Sequence, residues 1–427
     1  MGPGNSGEFA RIQGPFPFRK DTRVDRLAPG AGPEPEAPTP RLRLEPAERR
    51  AVAALASIYA VRMLGLFLLL PVLALYARAL PGATPLLVGL AMGAYGLTQA
   101  VLQIPFGAVS DRLGRRPVIV VGLLLYAAGS VVGAFATGIG GVIAARMVQG
   151  AGAVSGPVTA LLADLTRAAV RTRAMMLIGI SIGASFVVSL VAAPLLEPRI
   201  GVPGIFWVMA ALALLAIALL YTVVPRPPPL VQDRASPSAG FRAALTAELA
   251  PYYFGVFVLN FVLTAAFYAV PITLKDEFGI GVQDHWKTYL GVFAASVPLT
   301  VPLVLYTERV RVPAQVFRLG IALLMVSLGS LAFVYGNYWA LCGAMVAFFA
   351  AFNYLEARLP ARLSQLAAAE VRGAALGIFA TTQFLGAFVG SMAAGALYGG
   401  PMGLVGVFGG ASLVTLPWLL LVRQSPD

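Results

Sequence analysis

The chain has 427 residues, 58% of them hydrophobic and 12% charged, with a mean hydropathy of +0.81. Soluble domains carry roughly a quarter charged residues and bury at most about 75% of their unfolded surface, so a chain this apolar has lipid as its main solvent. One cysteine (Cys342) and one histidine (His285) exclude an intramolecular disulfide and argue against a metal-dependent membrane enzyme.

Residues 1–48 form a tail rich in Pro, Gly and Arg whose composition favours disorder, with Arg41, Arg43, Arg49 and Arg50 as a topology anchor. Stretches long enough to cross about 30 Å of hydrocarbon recur near 51–77, 85–109, 118–136, 138–163, 174–196 and 204–224. A polar, proline-rich linker over 226–250 follows. A second set lies near 251–274, 286–306, 315–334, 338–358, 373–397 and 402–422. The expected fold is an all-α membrane protein, with twelve transmembrane helices in two pseudo-symmetric six-helix bundles, 49–225 and 251–423.

The net charge of +12 could suggest a nucleic-acid partner, but the basic residues lie between apolar runs rather than on one soluble face. Of the 31 Lys and Arg, 25 fall on the side of the two termini. Only Arg78, Arg199, Lys275 and Lys287 fall on the other, and Arg62 and Arg146 remain inside helices. Such a bias needs an even number of crossings and puts both termini in the cytoplasm.

The two sets repeat. SDRLGRRP (110–117) follows helix two and TERVRVP (307–313) follows helix eight, placing Asp111 and Glu308 197 residues apart. AAVRTRAMMLIGI (168–180) reads against AAEVRGAALGI (368–378), placing Arg173 and Arg372 199 apart. Two matches at one offset map helix n onto helix n + 6 with the same orientation, a parallel repeat.

The strongest local signal is GAVSDRLGRRPVI (107–119). Gly107 lets helix two approach a neighbour closely, Asp111 can face the positive end of another helix, and Gly114 permits a tight turn. Arg112, Arg115 and Arg116 can pair with acids on adjacent helix ends. A basic loop that merely fixes topology would explain the arginines but not the Gly–Asp–Gly spacing. The segment resembles the conserved 2–3 loop motif of the major facilitator superfamily. That resemblance implies that Asp111 docks against the start of helix eleven, near Arg372–Gly373, while the basic residues pair with Asp164. The resulting lock would close the cytoplasmic side.

Charges inside the bilayer are costly and are functional candidates. Arg62 lies near the middle of helix one, where a structural and a functional role are both open. Arg146 stands in RMVQGAG, which resembles the superfamily's helix-four motif, whose arginine is tied to proton transfer. Glu356 in helix ten is either a proton-carrying carboxyl or a structural partner of Arg358 or Arg362. Polar residues at helical spacing suggest cavity faces, though hydrogen bonding between spans explains some of them equally well: Gln99 and Gln103, Ser181, Ser185 and Ser189, Asn260, Thr264 and Tyr268, with Asn353 and Gln383 adding amides. His285, beside Asp284 and Trp286, reads as a solvated surface histidine.

RMLGLFLLLPVL (62–73), YGLTQAVLQIPFG (95–107), DHWKTYL (284–290) and AFNYLEARLP (351–360) together resemble the YajR-type transporters of bacterial inner membranes. These are drug-efflux-like carriers. The resemblance covers about 50–422 and does not extend to the ferredoxin-like domain of such proteins. It also departs in helix five, where SLVAAPLLEP has alanines in place of the antiporters' Gly-Pro…Gly-Gly pattern. It implies a monomeric, multi-pass inner-membrane protein that needs no cofactor and draws on the proton gradient. The expected function is secondary active transport of a small molecule by alternating access, as proton-coupled efflux of a lipophilic compound. The alternative is an organic-anion transporter using Arg62 and Arg146. An enzyme would need a nucleophile–base or metal constellation, and an ATP-driven pump a P-loop; the sequence offers neither.

Overall fold

A computed structural model describes residues 45–225, 242–309, 314–334, 336–368 and 371–424. The tail up to 44, the linker over 226–241 and the repeated motif at 308–313 lie outside the described side chains. The elements are α1 (Pro46–Leu68), α2 (Leu73–Arg78), α3 (Pro85–Leu113), α4 (Arg115–Ala134), α5 (Ile139–Ala151), α6 (Ser155–Asp164) and α7 (Ala168–Thr222). They continue with α8 (Ala250–Asp276), α9 (His285–Arg309), α10 (Ala314–Leu331), α11 (Tyr338–Leu366), α12 (Arg372–Tyr398) and α13 (Gly403–Gln424).

Among the described residues, nine stretches are long and apolar enough to cross a membrane. Three crossings outside that count bring the total to twelve: the fourth, divided between α5 and α6, the second arm of α7, and the shorter apolar helix α10. The first crossing is interrupted around Pro71, whose missing N–H stops α1 before α2 resumes. The fourth, expected as one helix over 138–163, is broken at 152–154 into α5 and α6. At the break the Gly152 backbone sits against the Gly122 carbonyl of α4, with no room for a Cβ. The fifth and sixth are joined without a loop in α7, where Gly201 has φ 66° and ψ 173°, a geometry that favours glycine. A straight helix would hold Ala174 and Leu220 about 70 Å apart at roughly 1.5 Å per residue. Both pack in one cluster with Leu55 and Ile58, so the chain reverses at Gly201.

Helix pairing shows the repeat. α1 packs on α7 as α8 packs on α12, and α3 packs on α5 as α9 packs on α11. α4 packs on α5 and α7 as α10 packs on α11 and α13. Each half hides the apolar faces that its own helices would otherwise leave against each other's polar groups, and small residues allow the close approach.

The halves meet where α3 runs along α12 and where α7 meets α9. The first seam is tightest between Pro85–Gly96 and Phe384–Gly395, where a Cβ added at Gly96 would lie 2.7 Å from the Phe384 carbonyl oxygen. In the second, Phe186 packs edge-on against Phe267 at 5.9 Å and tilted against Phe293 at 6.2 Å. The described hydrogen bonds between the halves also lie at this end, the face opposite the termini. Arg78 binds Asp276 through both terminal nitrogens at 2.6 and 3.0 Å and reaches the Tyr398 hydroxyl at 3.4 Å, while the Tyr268 hydroxyl donates to the Pro85 carbonyl at 3.1 Å. Toward the terminal face, Gly107 and Gly373 have no atom within 4 Å of an added Cβ, and Asp111 is exposed. The bundle is closed at the opposite face and parted at the terminal face.

Gly96→Val should therefore wedge the closed seam. The expected outcome is several-fold faster reaction of an Ala387→Cys probe, in a Cys342→Ser background, with an impermeant thiol reagent from the opposite face. An unchanged labelling rate would show that the seam does not set the conformation.

Candidate functional site

The 107–119 motif builds on the turn between α3 and α4. Gly114, at φ 98°, ends α3 and starts α4 at Arg115. The Arg115 guanidinium lies between two acids, binding Asp111 and reaching Asp164 at the end of α6 at 3.2 Å, and it donates to Ser110 Oγ at 2.8 Å. Arg116 donates to the Val224 carbonyl, tying the motif to the end of α7. Arg112 is exposed. The contact expected between Asp111 and the start of helix eleven is absent from this conformation. Asp111 turns to Arg115 one helical turn away, and Arg372 donates to the Ala367 carbonyl at 3.4 Å. The physical reason is the parting of the halves at this face.

Two buried arginines share one tyrosine in the first half. Arg62 is 2% exposed and donates from Nη2 to Tyr95 Oη at 2.8 Å, to Gln99 Oε1 at 3.3 Å and to the Gly152 carbonyl at 3.3 Å. The last acceptor lies at the α5–α6 break, where the Gly152 carbonyl also accepts the Val154 N–H at 2.9 Å. Arg146 is 3% exposed and donates to Gln149 Oε1 at 2.9 Å. Its guanidinium carbon lies 4.9 Å from the Tyr95 ring centroid, a cation–π contact. Gln149 donates onward to Ser130 Oγ at 2.8 Å. Gln99 donates to Gln103 Oε1 at 2.8 Å and to Ser155 Oγ at 3.3 Å, and Ser155 donates to Gln103 at 3.1 Å. Gln99 and Gln103 are thus buried members of the arginine network rather than an open cavity wall. Tyr95, not singled out by the sequence, touches both arginines and packs edge-on against Phe384 of the other half at 6.2 Å. Its four-residue spacing from Gln99 was the available signal.

In the second half Glu356 accepts from Gln383 Nε2 at 3.4 Å, bridging α11 and α12. Its Oε2 is buried with no hydrogen-bond partner. The expected pairing with Arg358 or Arg362 is not among the described ion pairs. Helix α11 continues to Leu366, which places Glu356 about 15 Å inside its end. Asn353 is half-buried one turn earlier.

Of the two readings of the polar face of helix seven, the described contacts fit hydrogen bonding within and between crossings. Asn260 donates to the Val256 carbonyl of its own helix at 3.1 Å. Thr264 donates to the Ala387 carbonyl of α12 at 3.0 Å, and Tyr268 closes the opposite face as described. Ser185 donates to the Ala60 carbonyl at 2.9 Å, joining α7 to α1, while Ser181 and Ser189 bond within α7. Hydroxyls and amides at helical spacing serve here as links between crossings, which is their common role in membrane bundles. His285, expected at the surface, is fully buried, with Nε2 3.1 Å from the Ile280 carbonyl and its ring edge-on to Tyr289. The turn before α9 folds over it. Among the described residues, no three His, Cys, Asp or Glu side chains gather as a metal site.

Twelve crossings in two repeated halves, joined at one face and parted at the other around buried charges, define a polytopic membrane transporter. The family model of the Major Facilitator Superfamily matches residues 55–352, and the chain belongs to that superfamily. It is 40% identical over 388 residues to the inner membrane transport protein YajR of Escherichia coli K12, covering 90% of this chain and 85% of that one. It is 30% identical over 376 residues to the multidrug resistance protein MdtH of Aeromonas hydrophila, covering 84% and 88%. The fold is similar to that of a D-xylose–proton symporter of known crystal structure, with TM-score 0.70 at 18% identity, covering 89% of this chain and 98% of that one. The chain is a transporter rather than an enzyme.

The Arg78–Asp276 pair is partly solvated, at 34% and 42% side-chain exposure, so its contribution is discounted to about 1 kcal/mol despite the two-pronged geometry. Arg78→Ala should shift the conformational equilibrium about five-fold toward the state open at the opposite face. Spin-label distances across that face would read the shift, and the exchanged pair Arg78→Asp with Asp276→Arg should restore the original distribution.

Proposed function

We propose that this transporter works by alternating access as a proton-coupled exporter of a lipophilic small molecule, with both termini in the cytoplasm. The single observation that carries the coupling is Glu356. Among the described residues it is the one carboxyl set well away from the ends of the crossings, half-buried, held through one oxygen by Gln383 while the other has no partner. A carboxyl so placed can exist with or without its proton, and only the charged form requires compensation inside the bundle. Gln383 lies on α12, the helix that forms the main seam with the first half, so a change of charge at Glu356 bears on the element that moves.

Orientation is supported by the 25 basic residues on the side of the termini, against four on the other. The face open in this structure is then the cytoplasmic one. The 107–119 motif acts as the lock of the alternate state. Arg115 and Asp164 hold the motif rigid within the first half, and Asp111 exchanges Arg115 for the start of α12 when the cytoplasmic face closes. Both halves of the machine lie in one chain, so a monomer suffices. Export of a lipophilic compound is supported by likeness to a protein named for multidrug resistance. The site is assigned to no cofactor; protons supply the energy, and the lipid bilayer is the medium.

Proteoliposomes with an imposed pH gradient and a small panel of compounds test the reading. Glu356→Gln should leave substrate binding in place and flatten the pH dependence of transport. An unchanged pH profile would remove Glu356 as the coupling site. Asp111→Asn should slow turnover and raise the accessibility of the cytoplasmic face; normal behaviour in both measurements would sink the lock.

A further inference from the structure

We propose that Arg62 and Arg146 together form a binding site for an organic carboxylate, and that the exported compound carries such a group. The inference rests on the transport reading above and adds the charge of the cargo. Neither arginine belongs to any of the described ion pairs, although each is at least 97% buried. Arg62 Nε and Nη1, Arg146 Nε and Tyr126 Oη are all buried without a hydrogen-bond partner. These orphan groups belong to one neighbourhood, since both guanidiniums contact Tyr95, one through its hydroxyl and one through its ring face.

A structural role accounts for only part of this arrangement. Arg62 directs all three of its bonds from Nη2, and Arg146 makes one from Nη1. A guanidinium has five N–H donors. The Nε donor is left without a partner on both residues, and so is Nη1 on Arg62. Two cations sharing a buried site without an acid are costly, and a bound anion would relieve both the repulsion and the unmet donors.

The test uses the purified full chain in detergent and three compounds of one shape: benzoate, benzamide and benzylammonium. Benzoate should raise the melting temperature by several degrees, while the neutral and cationic analogues should not. Arg62→Gln and Arg146→Gln should each abolish the benzoate shift, and Lys287→Gln, which removes an exposed cation, should keep it. Arg146→Gln should also melt no lower than the parent without ligand, because it removes an uncompensated buried charge; a purely structural arginine would lower the melting point. Should either glutamine variant fail to fold, the lysine variants keep the charge and lose the Nε donor, and benzoate should bind them about ten-fold more weakly or worse. Equal shifts with benzoate and benzamide would overturn the proposal, as would a benzoate shift that survives both arginine substitutions; either would mean that water alone satisfies the site. Proteoliposome transport of the compound panel is read separately. Benzoate binding without transport of any carboxylate in the panel would overturn the claim that the cargo carries such a group and leave the anion site standing.

Discussion

Inside a lipid-spanning bundle a polar group has no water to fall back on, and most of this structure is arranged around that constraint. Helical hydrogen bonding satisfies the backbone of each crossing. Where the helix fails, at 152–154, the Gly152 carbonyl is shared by the Val154 N–H at 2.9 Å and the Arg62 guanidinium at 3.3 Å. The break and the buried charge therefore compensate one another. The same constraint explains why hydroxyls such as Thr264 and Ser185 reach carbonyls of neighbouring helices, and why Gln99, Gln103 and Ser155 close on one another.

The described exceptions to full satisfaction include neutral groups of Tyr126, His285, Tyr289, Thr381 and Trp418, while the charged ones differ in chemistry between the halves. The first half holds two guanidiniums with donors to spare. The second holds one carboxyl with an acceptor to spare. Tyr95 packs against Phe384, the residue after the glutamine that holds that carboxyl, so the two unsatisfied sites meet at the same seam of α3 and α12. An occupant of the first site and a proton on the second would each act on the helices that must slide or part. Coupling in such a machine needs no long relay.

The two faces are held by different kinds of interaction. At the opposite face, glycine-lined backbones touch and Arg78 bridges to Asp276, so packing and charge act together. At the terminal face the charged groups of the 107–119 motif are spent within the first half, on Asp164 and the Val224 carbonyl. Conformational preference then becomes a contest between one tight seam and one set of groups awaiting a partner.

The twelve crossings, their division into two halves and the repeat between them were legible in the sequence, because lipid imposes span length and hydrophobicity locally and the repeat preserves residue order. Arg62, Arg146 and Glu356 were legible for the same reason, since a charge inside an apolar run is conspicuous. Residue order alone did not reveal what those charges touch. Tyr95 and the Arg78–Asp276 pair depend on contacts between residues up to 198 positions apart. His285 was misread, and the helix-seven face Asn260, Thr264 and Tyr268 stayed open between a cavity and bonds to neighbours, because spacing along a helix fixes which residues share a face, not whether that face meets a cavity, a neighbour or water. What Asp111 touches was likewise beyond sequence, because it depends on how far the halves part at that face. The tertiary structure decided which face is closed, which polar groups are satisfied and which stand open, since each depends on how the two halves are docked.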